Sequence, residues 1–339
     1  MDLRPLGRTG VQVSELCLGA MMFGAWGNPD HDDSIRIIHR ALDGGINFID
    51  TADVYAQGES EEIVGKALAG GRRDDVILAT KFHGAMGDDP NRQGSSRRWI
   101  MRAVEDSLRR LDTDWIDLYQ VHRPRTDTDV DETLGALTDL VQQGKVRYIG
   151  SSSFSAGQIV EAQWTARDRR LERFRTEQPP YSVLTRSIEL DVLPTAQRHG
   201  MGILTYSPLG GGWLSGRWTA DSSPASPARR RLAARFDMSL PENQRKLEAV
   251  EQLGTVADDA GVSMIELAIA FVVNHPAVTS AIIGPRTMEQ LDSQLPAAGV
   301  VLDAATLDRI DEIVRPGVNL NPADTSYGEQ VLRPALRRR

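Results

Sequence analysis

Four side chains in the first part of this sequence have the chemistry needed for proton transfer. Asp50, Lys81 and His122 each stand at the end of a short apolar run, and Tyr55 comes soon after Asp50. Residues at the carboxyl ends of neighbouring parallel strands converge on one edge of a sheet or one mouth of a barrel. The pattern therefore predicts that a carboxylate, a phenol, an ammonium and an imidazole share one site.

A tyrosine next to a lysine is suited to the interconversion of carbonyl and alcohol groups. A phenol has a reference pKa of about 10, which burial raises and a neighbouring ammonium lowers. We therefore expect Lys81 to lower the pKa of Tyr55, and Asp50 to keep Lys81 charged and fixed. His122 can donate a hydrogen bond to a substrate carbonyl oxygen and orient it, which completes a general acid–base device.

The sequence lacks the motifs of other common catalytic centres. It contains no Gly-x-Ser-x-Gly nucleophile motif and no His-Glu-x-x-His metal motif, so we expect no metal site. The reaction then needs an external hydride, which a nicotinamide cofactor would supply. Taken singly, each of the four residues also fits a structural role, such as a helix cap or a buried ion pair. Their combination is what predicts catalysis.

The elements that must position these residues are short apolar runs that alternate with helical segments. Most of the runs are continuously apolar, as is typical of strands buried on both faces of a parallel sheet. Strands are predicted at Leu16–Leu18, Asn47–Asp50, Val76–Thr80, Ile116–Val121, Arg147–Gly150, Thr176–Gln178, Ile203–Tyr206 and Ala281–Ile283. Eight strands alternating with helices, with no change of composition at the midpoint, predict one (β/α)8 TIM barrel rather than two Rossmann domains.

Four segments extend this alternation. Leu3–Ser14 is predicted to form an N-terminal β-hairpin that plugs the bottom of the barrel, and Val262–Asn274 and Ala304–Val314 predict extra C-terminal helices. The long segment Trp213–Pro241 holds a Ser/Pro-rich stretch and three arginines, 229–231. We expect it to be a mobile lid over an anionic cofactor.

Composition excludes several other classes of protein. The chain has 339 residues, of which 40% are hydrophobic and 25% charged, and a net charge of −8; these values are typical of a soluble globular protein and not of a nucleic-acid binder. No run approaches the ~18 apolar residues of a membrane span, and the first residues are too polar for a secretory signal. The single cysteine, Cys17, cannot form an internal disulfide. We expect one cytoplasmic domain over 1–339, with the lid at 213–241 and a solvated basic tail at 333–339.

Several motifs, in this order along the chain, resemble the aldo-keto reductases. The most specific are Phe48–Tyr55, Ala79–Lys81, Asp117–His122, Lys145–Phe154 and Ile282–Thr287. The resemblance extends from Pro5 to about Val314 and includes the branch that contains the potassium channel β subunits. It implies that the family's catalytic tetrad is present here without a substitution, as Asp50, Tyr55, Lys81 and His122.

The resemblance also implies a nicotinamide dinucleotide site, although no Gly-x-Gly-x-x-Gly motif follows the first strand. Ser152 and Gln178 match residues that bind the nicotinamide carboxamide, and Ser153 stands where many members have asparagine. Tyr206 matches the aromatic residue that stacks on the nicotinamide ring. The pyrophosphate would be bound by backbone amides at Ser207, Leu209 and Gly211. Further cofactor contacts are implied for Gly19, Met21 and Asp50.

The adenosine end of the cofactor is expected against Gly284–Gln294, a segment that Gly284 begins. Arg286 suits the 2′-phosphate that distinguishes NADPH from NADH, because a guanidinium binds phosphate through paired hydrogen bonds. Gln290 and Gln294 are expected to bind the adenine and its ribose. No acidic residue lies within two positions of Arg286, so NADPH is the predicted cofactor.

The predicted function is NADPH-dependent reduction of a small aldehyde or ketone to an alcohol. Trp26, Tyr55 and His122 are expected to bind the substrate, and the further candidates for an apolar wall are Met22, Phe23, His83, Met86 and Trp213. Two alternatives remain open. One is a cofactor-binding regulatory subunit of the potassium channel β type, which turnover of an aldehyde would exclude. The other is an aldolase or isomerase that uses Lys81 as a Schiff base, which borohydride trapping would detect.

Overall fold

In the computed structural model, which describes residues 1–218 and 233–325, the eight predicted strands close into one parallel barrel. The strands are β1 (Leu3–Pro5), β2 (Gln12–Ser14), β3 (Leu16–Gly19), β4 (Phe48–Asp50), β5 (Ile77–Phe82), β6 (Ile116–Val121), β7 (Val146–Ser152), β8 (Thr176–Gln178), β9 (Gly202–Tyr206) and β10 (Ser280–Ile283). An antiparallel pair, β1 and β2, precedes the barrel, whose strands follow the order β10-β3-β4-β5-β6-β7-β8-β9 around the ring. The (β/α)8 prediction is confirmed.

Helices surround this barrel, with local signals at their ends. They are α1 (His31–Asp43), α2 (Glu59–Leu68), α3 (Arg97–Leu111), α4 (Val130–Gln142), α5 (Ala156–Arg169), α6 (Val192–His199), α7 (Pro241–Asp259), α8 (Met264–Val273), α9 (Met288–Gln294) and α10 (Ala304–Ile313). Ser155 and Ser263 begin α5 and α8 with capping boxes. Gly200 and Gly261, with φ of +63° and +69°, follow the ends of α6 and α7. The two extra C-terminal helices predicted from the sequence are α8 and α10.

The N-terminal hairpin seals the amino-terminal end of the barrel, as predicted. Its apolar side chains, Leu6 and Val13, are fully buried and join the cluster that fills the barrel interior, which includes Cys17, Phe48, Ala79, Leu118, Leu204 and Ile282. The backbone N–H of Arg8 donates to the carbonyl oxygen of Gly200 over 3.2 Å, just before β9 begins. The interior is therefore a packed core, and only the opposite mouth is open to carry chemistry.

Replacing Gly7 by alanine should destabilise the chain more than the same change at Gly10. Both glycines have positive φ, but an added Cβ at Gly7 would lie 2.6 Å from the backbone nitrogen of Gly202, whereas one at Gly10 meets nothing within 4 Å. Each variant therefore loses about 1 kcal/mol from the left-handed backbone. Only Gly7→Ala must also displace backbone, which adds about 1–3 kcal/mol to the loss of unfolding free energy in urea denaturation. Equal losses would contradict a tight hairpin seal.

Aromatic side chains anchor the described ends of the segment predicted as a lid. The ring centroids of Trp213 and Trp218 are 4.2 Å apart, and Phe236 lies parallel to Trp213 at 6.2 Å. Lys246 of α7 lies 4.6 Å from the centre of the Trp213 ring and pairs with Asp324 at 2.9 Å. Trp213 is fully buried in this cluster. Contrary to our expectation, its side chain is not available to line a substrate pocket.

Some predictions fall outside the described residues. They concern the centre of the predicted lid, 219–232, with its arginines at 229–231, and the basic tail at 333–339. Within the part of the chain that the structure describes, no helix has both the length and the apolar character needed to cross a bilayer.

Candidate active site

Asp50 and Lys81 form a buried ion pair at the carboxyl-terminal mouth of the barrel. Asp50 ends β4, and Lys81 lies near the end of the adjacent β5. Their side chains are only 4% and 0% exposed. Lys81 Nζ donates to Asp50 Oδ2 over 2.5 Å and to the carbonyl oxygen of Thr51 over 2.8 Å. The barrel thus brings together the carboxylate and the ammonium that the sequence predicted as neighbours.

The charge on Lys81 is secured by its partner. Burial alone would lower the pKa of Lys81, but the Asp50 carboxylate and the Tyr55 phenol raise it, and the net pKa lies above its ordinary value. Lys81 therefore stays protonated at neutral pH. This is the role that we expected Asp50 to have.

Tyr55 lies in the loop after β4, with its hydroxyl above the ion pair. Lys81 Nζ donates to Tyr55 Oη over 3.5 Å and lies 5.2 Å from the centre of the ring. Burial raises the pKa of Tyr55, the positive charges of Lys81 and Arg123 lower it, and the net pKa is raised. The influence of Lys81 has the predicted sign but does not outweigh burial. Tyr55 is consequently protonated at neutral pH and can act as an acid.

The rings of His122 and Trp26 flank Tyr55. His122 meets Tyr55 edge to face, with centroids 5.6 Å apart, and Trp26 lies 6.0 Å away at a tilt. Burial, and then the positive charges of Arg123 and Lys81, hold the pKa of His122 well below its usual 6.5. A neutral imidazole offers one donor and one acceptor nitrogen. The three residues expected to bind the substrate are therefore neighbours.

Two glutamines hold the other oxygen of the Asp50 carboxylate. The amide nitrogens of Gln178 and Gln120 donate to Asp50 Oδ1 over 2.8 and 3.1 Å. Gln120 was not predicted from the sequence. It stands on β6 two positions before His122, and the period of two of an extended chain places both side chains toward the mouth. The amide oxygen of Gln178 accepts no hydrogen bond from a described residue, which leaves an acceptor for a carboxamide N–H.

The other residues predicted to bind the nicotinamide gather at the same mouth. Ser152, at the end of β7, is buried and donates its hydroxyl to the carbonyl oxygen of Gln178 over 2.9 Å. The Ser153 hydroxyl lies 3.3 Å from Tyr206 Oη and accepts from Arg123 Nη1 over 3.0 Å. The guanidinium of Arg123 also lies 6.0 Å from the centre of the Tyr206 ring. Arg123 was missed, although it directly follows the last residue of the tetrad.

The turn after β9 exposes main chain where the pyrophosphate is predicted to bind. Ser207 and Gly211 have φ of +60° and +71°, and both are exposed, with the half-buried Leu209 between them. A Cβ added at Gly211 would lie 3.2 Å from the ring of Phe236. A side chain at position 211 would thus crowd Phe236, which anchors the segment predicted as a lid. The geometry suits ligation through backbone N–H groups, which stays a prediction for these three residues.

Gly19 and Met21 lie beside the tetrad at the end of β3. Gly19 pairs in register with Asp50, and a Cβ there would lie 2.7 Å from Ile282 Cγ2 and 3.1 Å from the carbonyl oxygen of Ile283. Met21 follows in the loop, with 41% of its surface exposed. Both positions therefore border the mouth, as the resemblance implied.

The predicted adenosine-binding residues lie along the loop after β10 and on α9. Gly284 is exposed, and the backbone N–H of Arg286 donates to Gln290 Oε1 over 3.0 Å. The Arg286 guanidinium forms no ion pair with a described residue. Glu289, the nearest acidic residue in the sequence, pairs with Arg217 at 2.6 Å. Gln294 is 5% exposed, and its Oε1 has no hydrogen-bond partner among the described residues.

A contact that the sequence analysis missed fixes the loop bearing Trp26. Glu59, the first residue of α2, accepts from the backbone N–H of Ala25 over 2.7 Å and pairs with His31 at 2.8 Å. The hydrogen bonds from His31 and Ala25 lower the pKa of Glu59. Because Ala25 directly precedes Trp26, this carboxylate sets the position of the indole next to Tyr55.

Of the four remaining candidates for an apolar wall, Met22 is half-buried in the loop after β3, and the other three lie in different places. Phe23 is fully buried in the outer core, and Met86 lines a small cavity behind the Tyr55 loop. His83 follows β5 with φ of +142°. Burial and the charges of two nearby arginines lower its pKa to about 4. Its Nε2 atom is buried without a partner among the described residues. Of these three, His83 alone retains a free polar group near the mouth.

The residues at the mouth fit a nicotinamide dinucleotide. Gln294 supplies a buried acceptor without a partner, Arg286 an unpaired cation, and the turn at Gly211 accessible main chain. These features lie along the path that the sequence predicts for the cofactor. By contrast, residues 1–218 and 233–325 contain no group of three or more His, Cys, Asp or Glu side chains arranged to hold a metal ion.

Comparison with known proteins places this geometry in a family. The sequence pattern described as "Aldo/keto reductase family" matches residues 15–315. The uncharacterized oxidoreductase YrpG of Bacillus subtilis is 41% identical, over 92% of this chain and 96% of its own length. A probable voltage-gated potassium channel subunit beta of Arabidopsis thaliana is 37% identical over 93% and 97%, and the aldo-keto reductase YhdN of B. subtilis is 35% identical over 99% of both. The chain therefore belongs to the aldo/keto reductase family.

Proposed function

We propose that this oxidoreductase uses NADPH to reduce a small aldehyde or ketone to an alcohol, with Tyr55 as the general acid. The observation that carries the proposal is the Tyr55 hydroxyl at 3.5 Å from the ammonium of a buried Lys81–Asp50 pair. A screen of aldehydes and ketones, followed by oxidation of NADPH, tests it. No turnover across aliphatic, aromatic and sugar-derived carbonyl compounds would contradict it.

The chain's own residues divide the acid–base work. The residues along the mouth would hold NADPH, which when bound would supply the hydride for the carbonyl carbon. Tyr55 donates its proton to the carbonyl oxygen, and the charge left on the phenolate is stabilised by the Lys81 ammonium. Asp50 keeps Lys81 protonated and in place. The neutral His122 donates a hydrogen bond that orients the carbonyl oxygen toward Tyr55.

The proposal also covers how the cofactor and the substrate are held at the mouth, and where the enzyme acts. Ser152, Ser153 and Gln178 would hold the carboxamide of the nicotinamide, and Tyr206 its ring. The substrate is a small carbonyl compound that reaches Tyr55 beside Trp26. The enzyme acts in the cytoplasm, with no nucleic acid or membrane as a partner.

Cofactor preference should depend on Arg286. Replacing Arg286 by alanine removes a charge-assisted contact with the 2′-phosphate worth ~1.5 kcal/mol, so the preference for NADPH over NADH should shrink by about tenfold. Affinity for NADH should change little. Arg198→Ala is the matched control, because Arg198 is an exposed arginine on α6, outside the predicted cofactor site. Equal losses of affinity for both cofactors would show that Arg286 does not bind the 2′-phosphate.

A second candidate function rests on one comparison. The 37% identity with a probable potassium channel subunit beta covers almost the whole of both chains, so a cofactor-binding regulatory subunit with little turnover is the alternative. Tight binding of NADPH without oxidation by any carbonyl compound would favour it over the reductase.

A further inference from the structure

A positively charged cleft lies on the outer side of the barrel. It is formed by the loop 83–96 and the first two turns of α3, and its volume is about 510 Å³. Its walls consist of Asp89, Asn91, Arg92, Arg98, Trp99, Met101 and Arg102. The loop follows β5, which stands opposite β9 in the ring of eight strands. Apart from Asp50 at the end of β4, the predicted cofactor residues lie at or after the ends of β3 and β7 to β10, so the cleft lies away from most of the cofactor path.

The charges in the cleft favour an anion. Three arginines and one aspartate give its walls a net charge of +2. Arg98 and Arg102 are exposed and stand one turn apart near the start of α3. The first turn of this helix contains no acidic residue. Arg98 forms no ion pair with a described residue, whereas Arg102 pairs with Asp106 at 3.6 Å. The Asp89 carboxylate is partly satisfied by the backbone N–H of Asn91, at 2.9 Å.

A second observation, independent of these charges, indicates a missing acceptor. Trp99 is 2% exposed, yet its indole Nε1 has no hydrogen-bond partner among the described residues, and the same is true of the buried Nε of Arg92. Both residues line the cleft. Buried N–H donors are nearly always satisfied by protein, water or ligand. These two donors therefore need an acceptor that the described residues do not supply.

The cleft also adjoins the segment that carries Tyr55. Arg92 and Trp99 also form part of the wall of a second, smaller cavity of about 10 Å³, close to the size needed for one water. Asp53 faces this cavity, is 1% exposed, and has no described partner for either carboxyl oxygen. Burial and the negative charge of Glu61 raise the pKa of Asp53 well above its usual value. A raised pKa lowers the negative charge that Asp53 places next to an anion.

We propose that this cleft is a binding site for the phosphate group of a small metabolite. A phosphate monoester carries a charge of about −1.5 to −2 at neutral pH, which matches the +2 of the walls better than a single carboxylate does. Arg98 and Arg102 bind its oxygens through paired hydrogen bonds. The indole N–H of Trp99 donates to a further oxygen. Asp53 connects the site to the loop of Tyr55 through the smaller cavity.

Inorganic phosphate is the probe for the test, and the indole N–H signal of Trp99 is the readout. The chain has six tryptophans, and a Trp99→Phe variant identifies the signal in a ¹H–¹⁵N spectrum. The protein is saturated with NADPH so that the cofactor's own phosphate sites are filled, and phosphate is then added at constant ionic strength. We expect a saturable shift of the Trp99 signal with phosphate and little shift with acetate.

The variant Arg98→Gln/Arg102→Gln separates this site from general anion effects. Both residues are exposed, so the double change leaves the core intact, and loss of the charge-assisted contacts should weaken phosphate binding by about tenfold or more. Arg198→Gln, an exposed arginine on α6, is the matched control and should bind phosphate as wild type does. An unmoved Trp99 signal, an equal response to acetate, or an unchanged affinity in the double variant would each overturn the proposal. The readout is local to Trp99, so it does not depend on NADPH binding or on turnover.

Discussion

A Tyr55→Phe variant should reduce carbonyl substrates about 10²-fold more slowly than the wild type, or slower still, because it removes the transferable proton. The phenyl ring keeps its contacts with Trp26 and His122 at 6.0 and 5.6 Å, so the shape of the mouth is preserved. The loss should appear in kcat at saturating NADPH and substrate. Cofactor affinity, followed by protein fluorescence, should barely change.

Tyr119→Phe is the matched control for that experiment. Tyr119 is also a buried tyrosine, but it lies outside the tetrad, and its hydroxyl has no hydrogen-bond partner among the described residues. Removing this hydroxyl should leave kcat close to that of the wild type. A Tyr55→Phe enzyme as active as Tyr119→Phe would show that another group supplies the proton.

The same assignment predicts how reduction depends on pH. Reduction needs Tyr55 protonated, and burial raises the pKa of Tyr55 above its usual value, so activity is lost only as the pH rises through that raised pKa. His122 must be neutral, and its pKa lies well below 6.5. The rate should therefore be constant from about pH 6.5 to about pH 10. A midpoint inside this range in the kcat profile would contradict the assignment.

Lys81→Met should have the second large effect, and it should reduce both stability and activity. It leaves the Asp50 carboxylate, 4% exposed, without its cation. Breaking a buried ion pair by removing one partner costs about 3–5 kcal/mol. The hydrogen bonds from Gln120 and Gln178 to Asp50 remain. We therefore expect a loss of unfolding free energy near the lower end of this range. Thermal or urea unfolding measures it, and kcat should fall by about 10²-fold or more because the phenolate of Tyr55 is no longer stabilised.

The double variant Asp50→Asn/Lys81→Met separates the two effects. It removes both charges, so no buried charge is left unpaired and most of the lost stability should return. Activity should not return, since Tyr55 still lacks a neighbouring ammonium. A double variant that is as unstable as Lys81→Met would show that packing, rather than charge, accounts for the loss. Recovery of activity would show that Lys81 has no part in the chemistry.

Strand ends were predicted less well than strand positions. The apolar run in β7 ends at Gly150, so the sequence predicted Arg147–Gly150, whereas the strand continues to Ser152. The extra residues are polar because they form the mouth of the barrel, where Ser152 donates to the backbone of Gln178. The hydrophobic pattern ends where the strand residues become polar to form the site, so it underestimates the length of a strand at its carboxyl end.

The sequence by itself determined the order and type of the elements and which four residues are predicted to form the tetrad. Continuous apolar runs specify buried parallel strands, glycines such as Gly200 specify helix ends, and the motifs around Asp50 and Lys81 specify the family; each of these signals is local in the chain. The tertiary structure alone decided what the side chains meet. Gln120 and Gln178 reach Asp50 across 70 and 128 positions, burial determines the direction of the Tyr55 pKa shift, and Trp213 turns into an aromatic cluster rather than a pocket. These contacts depend on closure of the barrel and on the packing of distant segments, which no local pattern encodes.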